Sequence, residues 1–527
     1  MENPITLPAA LAAAVRARPL QPFILHGDEV TTYAELESAS QRAAAGLLAL
    51  GLGAGDRVGL LSLNRIEWLV LFFACARIGA VAVAMSPRYR EAELGHILRD
   101  SEVKAVATIG EHEGFDFLAL FDRLSAAVPV LQHLILMPGT EMSPEPRRLH
   151  HQFYAQLLRP KGEGARPSTQ PAAVTGESPA MVIYTSGTTG RPKGACLTHA
   201  SMLASARAQA AHMRIGDTDL LTLASPLNHV GGITCGVLTL LAGGGCIDLV
   251  AEFKAPPVLE RIRLHKPTLL AGVPTMMTLL LMKSEGLDID FSCVRLAFIG
   301  GSNVDPALLA QLQRWLPAAR LMNLYGLSET SGAIVITPWE ASDDDLMRTI
   351  GVPVGEAQVR VIGPGSSEDV PRGEVGELCF RGCGVVPGYV GAARTANLFA
   401  PGGWLRTGDL GKIDERGVIT LWGRAKDMFI QGGFNIYPAE VEAHIAQHPE
   451  VMLVAGIGVP DPVLGEIGHY FVVRKPGGTV SEAALLAWCT QGLADYKVPR
   501  RLEFRSELPL TPAGKIHKAA LRAERST

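Results

Sequence analysis

Two kinds of apolar pattern alternate along the first half of the chain. Short, nearly continuous apolar runs at 56–63, 105–109 and 131–136 read as strands covered on both faces. The stretches between them carry helix signals. Thr32-Tyr33-Ala34-Glu35 is a capping box that opens a helix, and Gly51 follows its end. The run from Trp68 to Met85 is the most apolar, but Arg77 and Gly79 interrupt it. It reads as a buried helix up to Arg77 and then a strand over Ala80–Ala84, because a membrane span needs ~20 uninterrupted apolar residues. Strands alternating with helices predict parallel sheets with helices on both faces.

A polar stretch, Lys161–Pro179, reads as a loop. The alternation then resumes, with strands at 181–184, 219–223 and 296–299. Beyond Gly351 the pattern turns to short strands and turns, as at 359–362 and 376–381, which predicts a β-rich subdomain over 351–425. The remainder, 426–527, has the size and mixed pattern of a small α+β domain. The expected fold is therefore α/β. A large N-terminal domain over 1–425 combines parallel-sheet subdomains with the β-rich one, and the C-terminal domain begins at Lys426.

Composition narrows the class. With 527 residues, 47% hydrophobic and 19% charged, the chain belongs to a compact folded protein. A net charge of −4 gives no general reason to bind nucleic acid or an anionic membrane. The start, Met1–Arg16, is alanine-rich with an early Glu2 and no basic lead, which reads as an amphipathic helix rather than an export signal. The eight cysteines include no C-x-x-C pair and no zinc-like spacing, so they read as reduced thiols of a cytoplasmic protein. Between Tyr496 and Thr527 there are 8 Lys/Arg against 3 Glu, a basic surface suited to phosphate-bearing ligands or merely solvated.

The densest chemical signal is Tyr184-Thr185-Ser186-Gly187-Thr188-Thr189-Gly190-Arg191-Pro192-Lys193-Gly194, placed directly after an apolar strand. Glycines let backbone N–H groups approach a phosphate, the hydroxyls add donors, and Lys193 adds a point charge. The spacing is not that of a kinase or GTPase P-loop. The segment resembles the phosphate-loop signature of the adenylate-forming (AMP-binding) superfamily, which includes acyl-CoA synthetases, peptide-synthetase adenylation domains and firefly luciferase. Four further segments fall into the same register. They are Asn323–Thr330, Trp404–Leu410, Gly423–Asp427 with Gly432–Glu442, and Leu508–Lys515. Ser328 stands where the family usually has Thr and keeps the hydroxyl. Gln431 stands where many relatives have a cation.

The resemblance implies a reaction in which a carboxylate attacks the α-phosphate of ATP, pyrophosphate leaves, and the acyl-adenylate passes to a thiol. It further implies that Thr185, Ser186, Gly187, Thr188, Thr189, Gly190 and Lys193 hold the β/γ-phosphates, and that Glu329 binds Mg²⁺. Tyr325 would stack on adenine beside Gly301, Ser302 and Gly326, and Ser328 would contact phosphate. Asp409, aided by Arg424, would take the ribose hydroxyls, and Lys515 would bridge carboxylate and α-phosphate. The C-terminal domain would rotate about Lys426 and bring Gly432, Gly433 and Phe434 to the pantetheine arm of CoA. Taken singly, Asp409 reads as a turn former, Glu329 as a helix-start charge and Lys515 as a solvated lysine; their common register is what gives them roles.

His229, in Pro226–Gly232, matches the position beside the substrate carboxylate, although a packed structural histidine fits equally. No acidic residue lies between Ser225 and Ala242 to pair with an ammonium group, which argues against an amino-acid substrate. The implied acyl pocket comprises His229, Val230, Gly231, Ile233, Thr234, Val273, Met277, Gly300, Gly326 and Ser331. Small and apolar, it favours a fatty, alicyclic or aromatic acid. The expected function is an acyl-CoA synthetase using ATP, Mg²⁺ and CoA. A ligase that loads an acyl carrier protein, a non-catalytic nucleotide-responsive protein and a bioluminescent oxygenase are the alternatives. Family habit also admits a homodimer.

Overall fold

The computed structural model describes residues 5–140, 149–159, 173–185, 192–301, 304, 306–363, 365–511 and 514–525. Two large sheets form the N-terminal region. The first runs in the order Lys193–Thr198, Pro179–Thr185, Val81–Met85, Arg57–Leu61, Val103–Thr108, His133–Leu136, His150–Phe153. All its neighbours are parallel except the hairpin of Pro179–Thr185 with Lys193–Thr198. The second runs Val352–Pro353, Gly332–Ile336, Arg320–Leu327, Leu296–Gly300, Leu269–Gly272, Leu220–Leu223, Cys246–Leu249, Pro22–His26, Glu29–Thr32. It is parallel from Arg320–Leu327 through Pro22–His26 and antiparallel at both edges.

One helix shows why the sheets pack as they do. Ile66–Ile78 is apolar on nearly every side, so it can be satisfied only inside the protein. Trp68, Phe72 and Phe73 are buried in a core that takes in residues of both sheets, among them Val58, Ala82, Leu221 and Ile247. Gly79 ends the helix in a left-handed conformation (φ 73°), and Val81–Met85 follows as a buried strand. The capping box at Thr32 opens Tyr33–Ala49, with Thr32 Oγ1 accepting from the Glu35 N–H and Glu35 Oε2 accepting from the Thr32 N–H. The amphipathic start forms as the helix Leu7–Ala17.

Beyond these sheets, Gln358–Ile362, Gly376–Arg381, Phe399–Ala400, Trp404–Ile413 and Ile419–Arg424 make an antiparallel sheet. The last sheet belongs to a small C-terminal domain. Its strands are Phe434–Ile436, Phe429–Gln431, Gly465–Arg474, Val451–Asp461 and Arg501–Arg505, packed with the helices Pro438–Ala446 and Glu482–Gly492. One element has no counterpart in the apolar pattern: a π-helical stretch, Ile233–Leu238, directly after the His229 segment. Such stretches are rare and often mark functional sites. Among the described residues no helix is long and apolar enough to cross a membrane. The eight cysteines are unpaired thiols.

Asn64 joins the two large sheets beneath the His229 segment. It is 4% exposed. Its Nδ2 donates to the carbonyls of Ser225 and Val250, each at 3.0 Å, and its Oδ1 accepts from the Leu227 N–H at 2.9 Å. Removing it leaves buried backbone groups unpaired, at a cost of ~1–3 kcal/mol. Asn64→Ala is expected to lower the thermal unfolding midpoint by several degrees. An unchanged midpoint would mean that water replaces the amide.

Candidate active site

The site forms where the ends of the N-terminal strands meet the Thr511–Lys515 turn of the C-terminal domain. Thr185 and Lys193 face each other across the hairpin that closes the phosphate-loop segment. Tyr184 anchors its entry, donating from its hydroxyl to Asp100 Oδ2 at 2.7 Å. His96 Nε2 lies 3.0 Å from the Pro192 carbonyl at its exit. Ser186, Gly187, Thr188, Thr189 and Gly190 lie outside the described residues, as does Ser302.

Strand Arg320–Leu327 carries Tyr325 and Gly326 to the site and leads into a 3-10 turn, Ser328–Thr330. A Cβ on Gly326 would come 2.0 Å from the Gly332 carbonyl, so only glycine allows this turn back. Thr330 Oγ1 accepts from the Leu327 N–H (2.8 Å) and lies 2.7 Å from the Gly332 carbonyl, which fixes the turn. Ser328 is buried, and Ser331 takes a left-handed conformation (φ 56°). Glu329, between them, is partly exposed and faces the site.

Tyr325 is 8% exposed, and its ring lies 5.9 Å from that of Phe380. Its hydroxyl donates to Asp409 Oδ2 at 2.7 Å. Asp409 is paired in register with Arg424 across the strands Trp404–Ile413 and Ile419–Arg424, and Arg424 Nε forms an ion pair with its Oδ1 at 2.9 Å. Thr407 Oγ1 accepts from the Asp409 N–H at 3.0 Å. Burial pushes the Asp409 carboxyl up from its ordinary pKa, against the pull of Arg424 and the Tyr325 hydroxyl.

Lys515 arrives from the far end of the sequence. Thr511 and Lys515 close a tight turn, with the Thr511 N–H donating to the Lys515 carbonyl at 2.7 Å and Gly514 at φ 79°. Thr275 Oγ1 donates to the Gly514 carbonyl at 2.8 Å, docking the turn on the N-terminal region. The Lys515 side chain crosses the face of Gly301, where a Cβ would meet its Cε at 3.0 Å. Loss of hydration in this crevice, and then the Arg424 guanidinium, lower the Lys515 pKa to about 8, while Asp409 and Glu329 pull it back up.

His229 caps the short helical turn Val230–Gly232, its Nδ1 accepting from the Gly231 N–H at 3.1 Å. That bond leaves the proton of the neutral ring on Nε2. Loss of hydration, and then the Lys515 charge, depress its pKa to about 3, so the ring is neutral at working pH. A Cβ on Gly232 would lie 2.1 Å from the Pro226 carbonyl, which makes this turn possible only with glycine.

The implied acyl-pocket residues divide into two rows. His229, Gly231, Val273, Gly300 and Gly326 are partly exposed, whereas Val230, Ile233, Thr234, Met277 and Ser331 are buried behind them. In the C-terminal domain Gly432 and Gly433 take positive φ (58° and 88°) and Phe434 is 52% exposed. The Phe434 ring stacks on Tyr496 at 4.4 Å. Gln431 is buried, its Nε2 donating to the Tyr496 carbonyl (2.7 Å) and its Oε1 accepting from the Gly468 N–H (3.1 Å). It therefore ties the hairpin to its neighbours. Lys426 is exposed.

Sequence reasoning missed Tyr389. Its hydroxyl donates to Glu329 Oε1 at 2.6 Å, and Lys193 Nζ sits 5.5 Å from its ring centroid. The available signal was an aromatic side chain in a glycine-rich stretch between the predicted strand at 376–381 and the Trp404–Leu410 motif.

Comparison with known proteins gives the family of the chain. The family model described as AMP-binding enzyme matches residues 11–390, and that described as AMP-binding enzyme C-terminal domain matches 440–515. The chain thus belongs to the AMP-binding enzyme family, the adenylate-forming superfamily, and is an acid–thiol ligase of acyl-CoA synthetase type. It is 34% identical to a methyl-dioxo-octahydroindenyl-propanoyl:CoA ligase of Mycobacterium tuberculosis, with 98% of each chain covered. It is 33% identical to a long-chain-fatty-acid–CoA ligase of Escherichia coli, covering 96% of this chain and 92% of the relative. The crystal structure of the anthranilate CoA ligase AuaEII with anthranoyl-AMP superposes with a TM-score of 0.88 at 26% identity, covering 100% of this chain and 99% of the other.

A lysine that is charged below about pH 8 and neutral above it gives a one-sided expectation. The kcat/KM for ATP should be flat from pH 6 and fall on an alkaline limb centred near pH 8, with no acid limb from His229, whose pKa is about 3. A profile still flat at pH 9.5 would remove the charged Lys515 from the adenylation step.

Proposed function

We propose that this enzyme activates a hydrophobic carboxylic acid with ATP as the acyl-adenylate, releasing pyrophosphate, and then transfers the acyl group to the thiol of CoA. The observation that carries the reading is the crevice in which the Lys515 ammonium, from near the end of the chain, crosses Gly301 in the field of Asp409, Arg424 and Glu329 and beside the neutral His229 ring. The barrier to joining a carboxylate to an α-phosphate is the approach of two anions, so a positioned cation with little water around it is the most effective aid. Lys515 would lie between carboxylate and α-phosphate, and the His229 Nε2–H would donate to the acid. Asp409 would accept the ribose hydroxyls in a site already organised by Tyr325 and Arg424. Lys193 with the segment from Thr185 to Gly190 would hold the outer phosphates.

Glu329 fits a divalent cation. It is a hard oxygen donor, held through Oε1 by Tyr389, in a site that also gathers the phosphate lysine. Mg²⁺ bound there would supply charge for the departing pyrophosphate. In this reading residues 1–425 form the AMP-binding domain and 426–527 a mobile one. Lys426 is the hinge, and Gly432, Gly433 and Phe434 admit the pantetheine arm after rotation. Unpaired thiols accord with a reduced, cytoplasmic setting. The partly exposed row of small residues beside His229 favours a medium- or long-chain fatty, alicyclic or aromatic acid. The named relatives act on acids of these three kinds.

The reading is tested by Mg-ATP-dependent pyrophosphate release with fatty acids, benzoates and alicyclic acids, each with and without CoA. Release that needs one acid class and rises with CoA is expected. Stimulation by an acyl carrier protein alone would transfer the reading to a carrier-loading ligase, and silence across the panel would overturn it. Lys515→Ala is expected to lower adenylation by about a thousandfold, a loss typical of removing a transition-state charge partner. It should spare thioester formation from supplied acyl-adenylate, and equal loss of both steps would refute the two-orientation scheme.

A further inference from the structure

Tyr389 lies in a segment that belongs to neither the phosphate-loop hairpin nor the Glu329 turn but is stitched to both. The Val386 N–H donates to the Glu329 carbonyl at 2.9 Å. The Cys196 N–H donates to the Gly388 carbonyl at 2.9 Å, and the Val390 N–H to the Gly194 carbonyl at 2.8 Å. Tyr389 and Ala195 form an antiparallel bridge. The tyrosine N–H donates to Thr395 Oγ1 at 3.0 Å, and a Cβ on Gly388 would lie 2.5 Å from that same oxygen, so the glycine lets the threonine close over the backbone. Further along, Arg394 pairs with Asp100, which also accepts the Tyr184 hydroxyl.

The side chain thus emerges from a doubly anchored backbone between two groups that must act on the same polyphosphate. Its hydroxyl donates to Glu329 Oε1, and its ring faces the Lys193 ammonium. A phenol is a neutral donor. It can fix one carboxylate oxygen without cancelling the charge a metal needs, as a lysine or arginine in its place would. The ring holds Lys193 by the weak attraction of a cation for an aromatic face.

We propose that Tyr389 is a positioning residue that sets the spacing between Lys193 and Glu329, and so the geometry in which the enzyme takes the metal-chelated pyrophosphate end of ATP. The proposal rests on the roles given above to Lys193 and Glu329. Tyr389→Phe keeps the ring and removes the hydroxyl, whereas Tyr389→Leu removes both. Uptake of Mn²⁺ into the enzyme–ATP complex, followed through the enhancement of water-proton relaxation above that of Mn–ATP without enzyme, reads the effect without turnover. Metal-free ATP binding is measured by calorimetry beside it, with thermal midpoints to confirm folding.

Tyr389→Phe is expected to weaken Mn²⁺ binding to the ATP complex about tenfold, the value of one hydrogen bond to a charged group. Its metal-free ATP affinity should stay within about twofold of the parent, because the bond to Lys193 is kept. Tyr389→Leu should weaken metal-free ATP binding as well. A folded Tyr389→Phe enzyme that takes Mn²⁺ and ATP like the parent overturns the proposal alone. If the parent takes up no Mn²⁺ with ATP, the assignment of Glu329 falls and the role of Tyr389 falls with it.

Discussion

A cation with little water around it is the feature on which the rest of this enzyme depends. The crevice strips hydration from Lys515, and that desolvation works against its charge. Asp409 and Glu329 hold the charge in place, and Arg424 opposes it. Asp409 is in turn buried, which raises its pKa, and Arg424 and the Tyr325 hydroxyl work against that rise. Each charged group in the site is therefore tolerable only because of the next, which is why residues from four separate stretches of chain must converge before any of them can act.

Backbone geometry makes that convergence possible. Gly326 lets the strand carrying Tyr325 fold back on Gly332, and the resulting turn presents Glu329. Gly232 plays the same part for His229, whose ring is fixed by its own backbone and whose loop is tied to both large sheets by Asn64. The cross-strand pairing of Asp409 with Arg424 is set by the register of an antiparallel sheet rather than by a flexible loop. Rigid presentation of this kind keeps charged groups at fixed spacing without a substrate to organise them.

Much of this was legible in the chain. The helix from Tyr33, the strand Gly376–Arg381 and the break at Gly79 followed from caps, alternation and glycine placement, all of which act over a few residues. The family motifs were legible as well, because their spacing within each segment is local. Three features were not legible. The π-helical stretch Ile233–Leu238 has the composition of an ordinary buried helix. The division of the acyl-pocket residues into a partly exposed row and a buried row depends on which helix covers which strand. Tyr389 acts on residues far from it in sequence, and nothing beside it in the chain announces either partner.

The amino-acid sequence by itself determined the chemistry available here: the phosphate-loop glycines and hydroxyls, the carboxylates Glu329 and Asp409, the cations Lys193, Arg424 and Lys515, and the alternating pattern that makes parallel sheets. These follow from residue type and short-range geometry. Only the tertiary structure decided that the turn after Thr511 docks on Thr275 and sends Lys515 across Gly301, that His229 keeps a neutral ring, and that Tyr389 spans the gap between lysine and carboxylate. Those outcomes depend on desolvation and on contacts between distant segments, and both quantities exist only once the chain has closed on itself.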